Sequence, residues 1–266
     1  MKKGTQLFNI TGKTALITGA TGYLGTAMSH ILAEAGAHIL VNSRSIVKCE
    51  ALVKTLVDSG HSAESAVFDV SNQQAIENFF MSRIGSPLHI LINNAYSGGA
   101  GSIEICKADA YAKSYDVTVL AAHNLLIAAL PSLRQAVLHC GDASVINITS
   151  MYAMVSPDKR IYKSTLKVNP PFYGAAKAAL LQWTRYAACE FGAEGIRVNS
   201  ISPGPFPSDM VQSRNLTFIK KLKNKVPMGR IGLADEIKGA TLFLASSASS
   251  FVNGSNIVVD GGWTCL

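Results

Sequence analysis

Acidic residues are scarce in this 266-residue chain. There are 17 Asp and Glu against 24 Lys and Arg, and charged residues of all kinds reach only 15 % while apolar ones make up 48 %. A chain with so little charge and so much apolar surface is not expected to be disordered. The net charge of +7 admits an anionic partner. The cations are scattered, however, and the densest cluster (Arg214, Lys220, Lys221, Lys223, Lys225 and Arg230) has no interleaved aromatics. No nucleic-acid partner is expected. Long apolar runs are also missing. Val117–Leu130 is broken by His123 and Asn124 and is expected to end at Pro131, short of the roughly 20 residues a membrane span needs. The start, Met1-Lys2-Lys3-Gly4-Thr5-Gln6, has no apolar core of a secretory signal. The five cysteines (Cys49, Cys106, Cys140, Cys189, Cys265) form no Cys-x-x-Cys pair, and the six histidines form no His-x-x-x-His pair. Neither a disulfide framework nor a metal site is expected, and a reducing cytosol is the simple setting. No Pro/Ser-rich linker, repeat or low-complexity tract divides the chain, so residues 1–266 read as one domain.

What is present is alternation. Short apolar runs at Thr14–Thr18, His38–Asn42, Ser65–Phe68, Ile90–Asn93, Val145–Ile148, Arg197–Ile201 and Asn256–Val259 read as buried strands. Helical patterns separate most of them, among them a run to about Ala35 and another at Ile46–Asp58. This alternation predicts an α/β fold with a doubly wound parallel sheet covered on both faces.

The first strand is followed by Thr18-Gly19-Ala20-Thr21-Gly22-Tyr23-Leu24-Gly25 and then a helix. Glycine there permits a tight turn, close backbone approach to a pyrophosphate, and helix–strand packing, while the helix N-terminus offers free N–H groups. An ordinary strand–helix turn would look similar. At the end of the second strand stands Asn42-Ser43-Arg44-Ser45, without the acid that a site for unphosphorylated ribose usually carries. Ser43 and Arg44 suit a 2′-phosphate, or Arg44 is a solvated surface residue. NADP(H) is favoured, with NAD(H) as the alternative. Further on, Tyr173 and Lys177 lie four residues apart on one helix face. A free phenol is a poor acid–base at neutral pH. Lowering its pKa by about 3 units takes roughly 4 kcal/mol, which a neighbouring cation helps to provide. Ser150, after the strand Val145–Ile148, is the candidate hydroxyl to hold a substrate oxygen.

Together these segments resemble the compact short-chain dehydrogenase/reductase superfamily, whose Rossmann-type single domain matches from Gly12 to Trp263. The matching pieces occur in family order. They are Thr18-Gly19 with Gly22 and Gly25, Asp69-Val70, Asn93-Asn94-Ala95, Asn147-Ile148-Thr149-Ser150, Tyr173 with Lys177, Pro203-Gly204, and Val259-Asp260-Gly261-Gly262. The resemblance implies an enzyme that moves a hydride between a nicotinamide cofactor and a secondary alcohol or ketone. Tyr173 is then the general acid–base and Ser150 orients the substrate. Lys177 binds the nicotinamide ribose and lowers the tyrosine pKa. Asp69 and Val70 contact adenine, Asn93 and Ala95 line the cofactor cleft, and Pro203, Gly204 and Phe206 lie toward the nicotinamide. A homo-oligomer, dimer or tetramer, is also implied. The Tyr-x-x-x-Lys spacing argues against enoyl reduction, since enoyl reductases of the family resemble Tyr-x6-Lys.

Three features depart from the family pattern. Tyr23 stands where compact members more often carry glycine, and the resulting glycine spacing resembles that of sugar-nucleotide-modifying members. Thr118 aligns with the usual helix asparagine of a proton-relay water. It either holds such a water by its hydroxyl or is a packed helix residue. Finally, 23 positions separate Ser150 from Tyr173, against about a dozen in the family. The inserted segment, about 151–172, carries Lys159, Arg160, Lys163 and Lys167. Either Lys159 and Arg160 recognise an anionic or hydroxylated substrate such as a sugar, sugar acid or sugar phosphate, or the segment is an oligomer contact. Its pattern resembles members linked to bacterial surface-sugar and flagellin-glycan biosynthesis, and gluconate-type dehydrogenases. The basic stretch after Pro207 falls in the family's mobile lid, about 205–230; its lysines either meet the same substrate or form a solvated helix face. Two rival readings are a sugar-nucleotide epimerase or dehydratase with a tightly held cofactor, and a non-catalytic nucleotide sensor on the same fold.

Overall fold

In a computed structural model describing residues 4–266, the seven apolar runs become seven strands. The first three residues of the polar N-terminus lie outside the described residues. The strands are β1 Thr14–Ile17, β2 His38–Ser43, β3 Ala63–Val67, β4 Ile90–Asn93, β5 Ala143–Ile148, β6 Ile196–Pro203 and β7 Asn256–Val259. They form one parallel sheet in the order β3-β2-β1-β4-β5-β6-β7. Strands β4, β5 and β6 are buried at every position; β4 runs Ile90-Leu91-Ile92, whereas β5 and β6 also bury polar residues such as Asn147, Arg197, Asn199 and Ser202, each with a hydrogen-bond partner. The edge strands β3 and β7 are only partly covered.

Successive side chains point to opposite faces of a strand, and the two halves of the core follow that period. Leu16, Leu40, Leu91, Val145 and Val198 face one layer. There they meet Ile76 and Phe80 of helix α3 (Gln73–Met81), Leu125 and Leu133 of α5 (Ala121–Cys140), and Phe191 of α6 (Pro171–Phe191). Their neighbours Ile17, Ile39, Val41, Ile92 and Ile146 face the other layer, against Met28 and Leu32 of α1 (Tyr23–Glu34), Leu56 of α2 (Ile46–Asp58) and Leu244 of α9 (Lys238–Ala245). Ser45 and Asn72 cap α2 and α3 through their side chains. Helix α1 starts at Gly22 with no side-chain cap, leaving its first N–H groups to a ligand.

The apolar run that ends at Pro131 belongs to a longer helix. Helix α4 (Ala108–Tyr115) runs through a π turn, Asp116–Leu120, into α5, which carries Pro131 in its interior and ends at a left-handed Gly141. The stretch from Ala108 to Cys140 has the length and hydropathy of a membrane-crossing helix. Its apolar stripe is nonetheless spent on the sheet, through Leu125, Leu126, Ala129, Leu130, Leu133 and Ala136.

The sheet order reverses between β1 and β4, and ligands of open α/β sheets bind where that happens, beyond the carboxyl ends of the strands. The 151–172 segment and the region after β6 close over this end. The first forms three short helical turns, Met151–Ala153, Lys159–Ile161 and Thr165–Lys167. The second forms α7 (Asp209–Arg214) and α8 (Leu216–Lys225). Met151, Tyr152 and Ile161 pack with Ile219, Leu222, Val226 and Trp263 in a small separate core.

Candidate active site

At the switch point lies a cleft of about 880 Å³. The end of β1 and the end of β4 are tied together beneath it. Thr18 Oγ1 donates to the Ile92 carbonyl (3.1 Å) and accepts from the N–H groups of Asn94 (2.9 Å) and Ala95 (3.1 Å). The Asn94 amide donates back to the carbonyls of Thr18 and Gly19. Thr18 is therefore spent on the scaffold and does not line the cleft, whereas Gly19, Gly22, Tyr23, Leu24 and Gly25 do. Gly19 has φ +61°, and a Cβ there would lie 2.9 Å from Ala95 Cα. A Cβ on Gly25 would lie 2.2 Å from the Gly19 carbonyl oxygen. These two positions accept only glycine, which makes the turn a phosphate cradle of the kind a dinucleotide needs. Tyr23 crosses to the lid, its hydroxyl accepting from Gln212 Nε2 at 3.4 Å.

Ser43, Arg44, Asp69 and Val70 all line the far end of the cleft, as expected. Arg44 is 3.8 Å from Asp69 and mostly exposed. Burial pushes the Asp69 carboxyl up, but hydrogen bonds from Ser71 and the Arg44 charge outweigh it and hold the group below its usual range. Lys48, in the first turn of α2, joins this end.

Ser150 and Tyr173 converge despite the 23 positions between them, because the inserted segment loops outward and returns at the start of α6. Both line the cleft with Lys177, Ala95, Pro203, Gly204 and Phe206. Ser150 heads the turn Met151–Ala153, its Oγ accepting from Tyr152 N at 3.1 Å. Lys177 Nζ donates to the Ile148 carbonyl at 2.6 Å, and burial pushes its ammonium down to about 8. Burial pushes the Tyr173 phenol up; the Ser150 hydroxyl acts in the opposite direction but does not offset it. Lys177 points to a backbone carbonyl, with its ammonium 5.8 Å from the Tyr173 ring centroid.

Four other expected residues stand off the cleft. Asn93 donates to Asn147 Oδ1 (2.8 Å) and Thr118 is buried in the π turn; both line a second cavity of about 10 Å³ behind Lys177. Asn93 Oδ1 and Thr118 Oγ1 are unpartnered there, and the volume is near the lower bound for one water. Lys159 and Arg160 lie on the outer surface, Arg160 held by Asp158 at 2.8 Å. Two of the lid lysines are committed elsewhere: Lys225 Nζ reaches Asp158 (2.7 Å) and Lys221 Nζ the Arg160 carbonyl (2.8 Å). Several lining residues escaped the sequence reading, namely Lys48, Asn94, Tyr96, Ser97, Lys113 and Asp116. Only Asn94 had a signal, inside the Asn93-Asn94-Ala95 motif.

A glycine cradle at a helix start, opening onto buried Ser150 and Lys177 with a partly buried Tyr173, provides what hydride transfer on a dinucleotide requires, and the fold and site together define a nicotinamide-dependent oxidoreductase. Comparison with known proteins makes this specific. The family model described as Enoyl-(Acyl carrier protein) reductase matches residues 19–264. The gluconate 5-dehydrogenase of Gluconobacter oxydans is 30 % identical over 262 residues, covering 97 % of each chain. The 2-dehydro-3-deoxy-D-gluconate 5-dehydrogenase of Dickeya dadantii is 32 % identical, covering 96 % of this chain and 97 % of its own. A crystal structure of a gluconate 5-dehydrogenase from Burkholderia cenocepacia in complex with NADP and tartrate superposes with TM-score 0.86 at 30 % identity, over 99 % of this chain and all of the other. The chain belongs to the short-chain dehydrogenase/reductase superfamily and is an NAD(P)-dependent oxidoreductase acting on a CH–OH group.

Proposed function

We propose that the protein interconverts a secondary alcohol and a ketone on a hydroxylated, anionic small molecule of the sugar-acid class, with NADP(H) as its coenzyme. The observation that carries the reaction type is the convergence of Ser150, Tyr173 and Lys177 in one cleft with the glycine cradle. The sugar-acid class is supported by the names of the gluconate-type relatives. NADP(H) is supported by Arg44, Lys48 and Ser43 at the end of β2 and by the NADP complex of the Burkholderia enzyme.

The cradle fits a dinucleotide: Gly19 and Gly25 leave no room for a side chain, and α1 presents uncapped N–H groups. Gly19, Gly22 and the start of α1 would hold the pyrophosphate, Arg44 the 2′-phosphate, Val70 the adenine, and Lys177 with Pro203 and Gly204 the nicotinamide end. Bound there, the nicotinamide supplies the hydride acceptor or donor. The remaining work falls to the chain. Ser150 donates a hydrogen bond to the substrate oxygen and fixes its position. Tyr173 gives that oxygen a proton when a carbonyl is reduced and takes it back when an alcohol is oxidised. Its phenol, held up by burial, is protonated and ready for the reducing direction. Lys177 provides nearby positive charge, and the unpartnered Thr118 Oγ1 and Asn93 Oδ1 border a small, mostly apolar cavity behind it. Lys113 lines the cleft and makes an exposed pair with Asp109 at 3.3 Å, a weak tie that leaves it, rather than Lys159 and Arg160, as the cation placed to meet a substrate carboxylate. The exposed Ile127, Leu138 and Tyr186 on α5 and α6 suit a homo-oligomer, and a cytoplasmic setting agrees with the free cysteines.

The test is a panel of aldonic acids, keto-acids and neutral polyols with NADPH and NADH, run beside Tyr173→Phe. Expected are turnover of at least one acid with net consumption of cofactor, and loss of about 10²–10⁴-fold in the variant with NADPH binding intact. Retained turnover in Tyr173→Phe would refute the mechanism. Product formation with no net cofactor change would favour an epimerase.

A further inference from the structure

Tyr96 directly follows the Asn93-Asn94-Ala95 segment and walls the cleft, yet the reaction outlined above gives it no task. Its ring meets that of Tyr173 edge to face, with centroids 4.8 Å apart and planes at 72°. In that geometry the positive edge of one ring faces the negative face of the other. On its own face Tyr96 receives Lys177, whose Nζ lies 5.5 Å from the Tyr96 centroid and 5.8 Å from that of Tyr173. The ammonium thus lies on one side of the ring pair, within cation–π reach of both.

That setting matters because Lys177 is otherwise poorly provided for. An ammonium has three donors, and the bond recorded for Lys177 goes to the Ile148 carbonyl. Among the described residues no carboxylate forms an ion pair with it. The titratable groups facing it are the phenols of Tyr96 and Tyr173, while Ser150, Asn93 and Thr118 are neutral neighbours. A desolvated cation gains most from an aromatic face where it has fewest other partners. Tyr96 does not compete with Tyr173 as an acid–base. Burial pushes its phenol to about 12, and its hydroxyl lies toward Ser114, short of a formed hydrogen bond. The backbone makes room for this ring: a Cβ on Gly98 would fall 2.0 Å from the Tyr96 hydroxyl oxygen.

We propose that Tyr96 is a positioning residue, whose ring fixes the Tyr173 phenol and holds Lys177 charged beside it. The catalytic consequence rests on the alcohol–ketone reading above; the placement of Lys177 does not. The first experiment therefore needs no substrate. Protein carrying ¹³C-labelled lysine is titrated by NMR, with the Lys177 signal assigned by its loss in Lys177→Arg. Tyr96→Leu is expected to lower the Lys177 midpoint by about 0.5–1 pH unit, and Tyr96→Phe to leave it in place. Tyr96→pentafluorophenylalanine keeps the ring's shape but removes its negative face. It is expected to act like Leu and carries the test should the Leu variant fail to fold. With a turned-over substrate, the Leu and fluorinated variants are expected to lose about tenfold in kcat with KM unchanged, the pH profile moving with the Lys177 midpoint, and Phe to restore both. An unmoved Lys177 midpoint in the fluorinated variant overturns the proposal, as does a Tyr96→Phe protein as impaired as the others. A wild-type protein that reduces or oxidises nothing on the panel would sink the functional reading, while the titration would still decide the role of the ring.

Discussion

Removing the Arg44 guanidinium should separate the two nicotinamide coenzymes cleanly. Arg44 lies at the end of β2, mostly exposed, with Asp69 3.8 Å away. That exposed pair contributes under about 1 kcal/mol, so Arg44→Ala should cost the fold little. Toward a 2′-phosphate the same side chain makes a charge-assisted, fork-shaped contact of about 1.5–3 kcal/mol. Its loss weakens NADPH about 10- to 150-fold. Lys48 remains in the cleft wall and keeps part of the attraction, which argues for the lower half of that range. NADH lacks the phosphate and should bind Arg44→Ala as it binds the unaltered protein. The assay is a nucleotide-fluorescence titration of both coenzymes at low and moderate salt. The NADPH advantage of the unaltered protein should shrink as salt rises, because the contact is exposed to screening. Equal weakening of both coenzymes would mean that Arg44 supports the turn rather than reading the phosphate. No weakening of either would refute the assignment of this end of the cleft.

Three further outcomes follow from the geometry. Burial pushes the Lys177 ammonium down to about 8 from 10.5 when exposed, so the unfolded chain binds the proton more tightly and stability rises with pH across that window. Denaturant midpoints at pH 7.5 and 9.5 should show the rise, and Lys177→Met should flatten it; an equal slope in both would contradict a buried, strained ammonium. Asp158 joins the inserted segment to α8 through Lys225, so Asp158→Ala should speed amide exchange in 158–162 and 216–225 while leaving NADPH binding alone, and unchanged exchange would show that the apolar contacts suffice. Lys113 lines the cleft while Lys159 and Arg160 do not, so Lys113→Ala should raise KM about tenfold for an acidic substrate, whereas Lys159→Ala/Arg160→Ala should leave it within twofold; the reverse ranking would return substrate recognition to the inserted segment.

The sheet was legible because its signal is local and repeated. Each strand is a short run whose alternate residues meet different helix layers, so Ala15-Leu16-Ile17 or Val145-Ile146 reveals a strand covered on both faces without any knowledge of its partners. The glycine turn and the Tyr173–Lys177 pair were legible for the same reason, since their geometry lies within a few residues. The continuation of α5 through Pro131 was not legible, because a proline's cost depends on its context. Here α5 is packed on the sheet over most of its length, and burial of Leu130, Leu133 and Ala136 outweighs one missing backbone bond. Tyr96, Lys48 and Lys113 went unread because a residue becomes part of a cleft only through its distance from elements far along the chain. Lys159 and Arg160 were misplaced on the same account: their position in sequence, between two site residues, says nothing about which side of the loop faces inward.

The inserted segment shows how that distinction works in the folded chain. Both ends are fixed at the reacting centre, at Ser150 and at the start of α6. Its apolar residues, Tyr152 and Ile161, are drawn away from the cleft into a core with Ile219, Leu222 and Trp263. The Tyr152 hydroxyl completes a contact with Tyr162 at 3.1 Å, and Tyr162 stacks against Phe218 of α8. Once these side chains are buried, the cations between them have to face outward, because a lysine or arginine is costly to bury without a partner. Asp158 then gathers Arg160 and Lys225. Part of the positive charge that the sequence concentrates near the site, Arg160, Lys221 and Lys225, thus serves the joint between segment and lid. Because Ser150 accepts the Tyr152 N–H at 3.1 Å, the position of that joint bears directly on the hydroxyl that must hold the substrate.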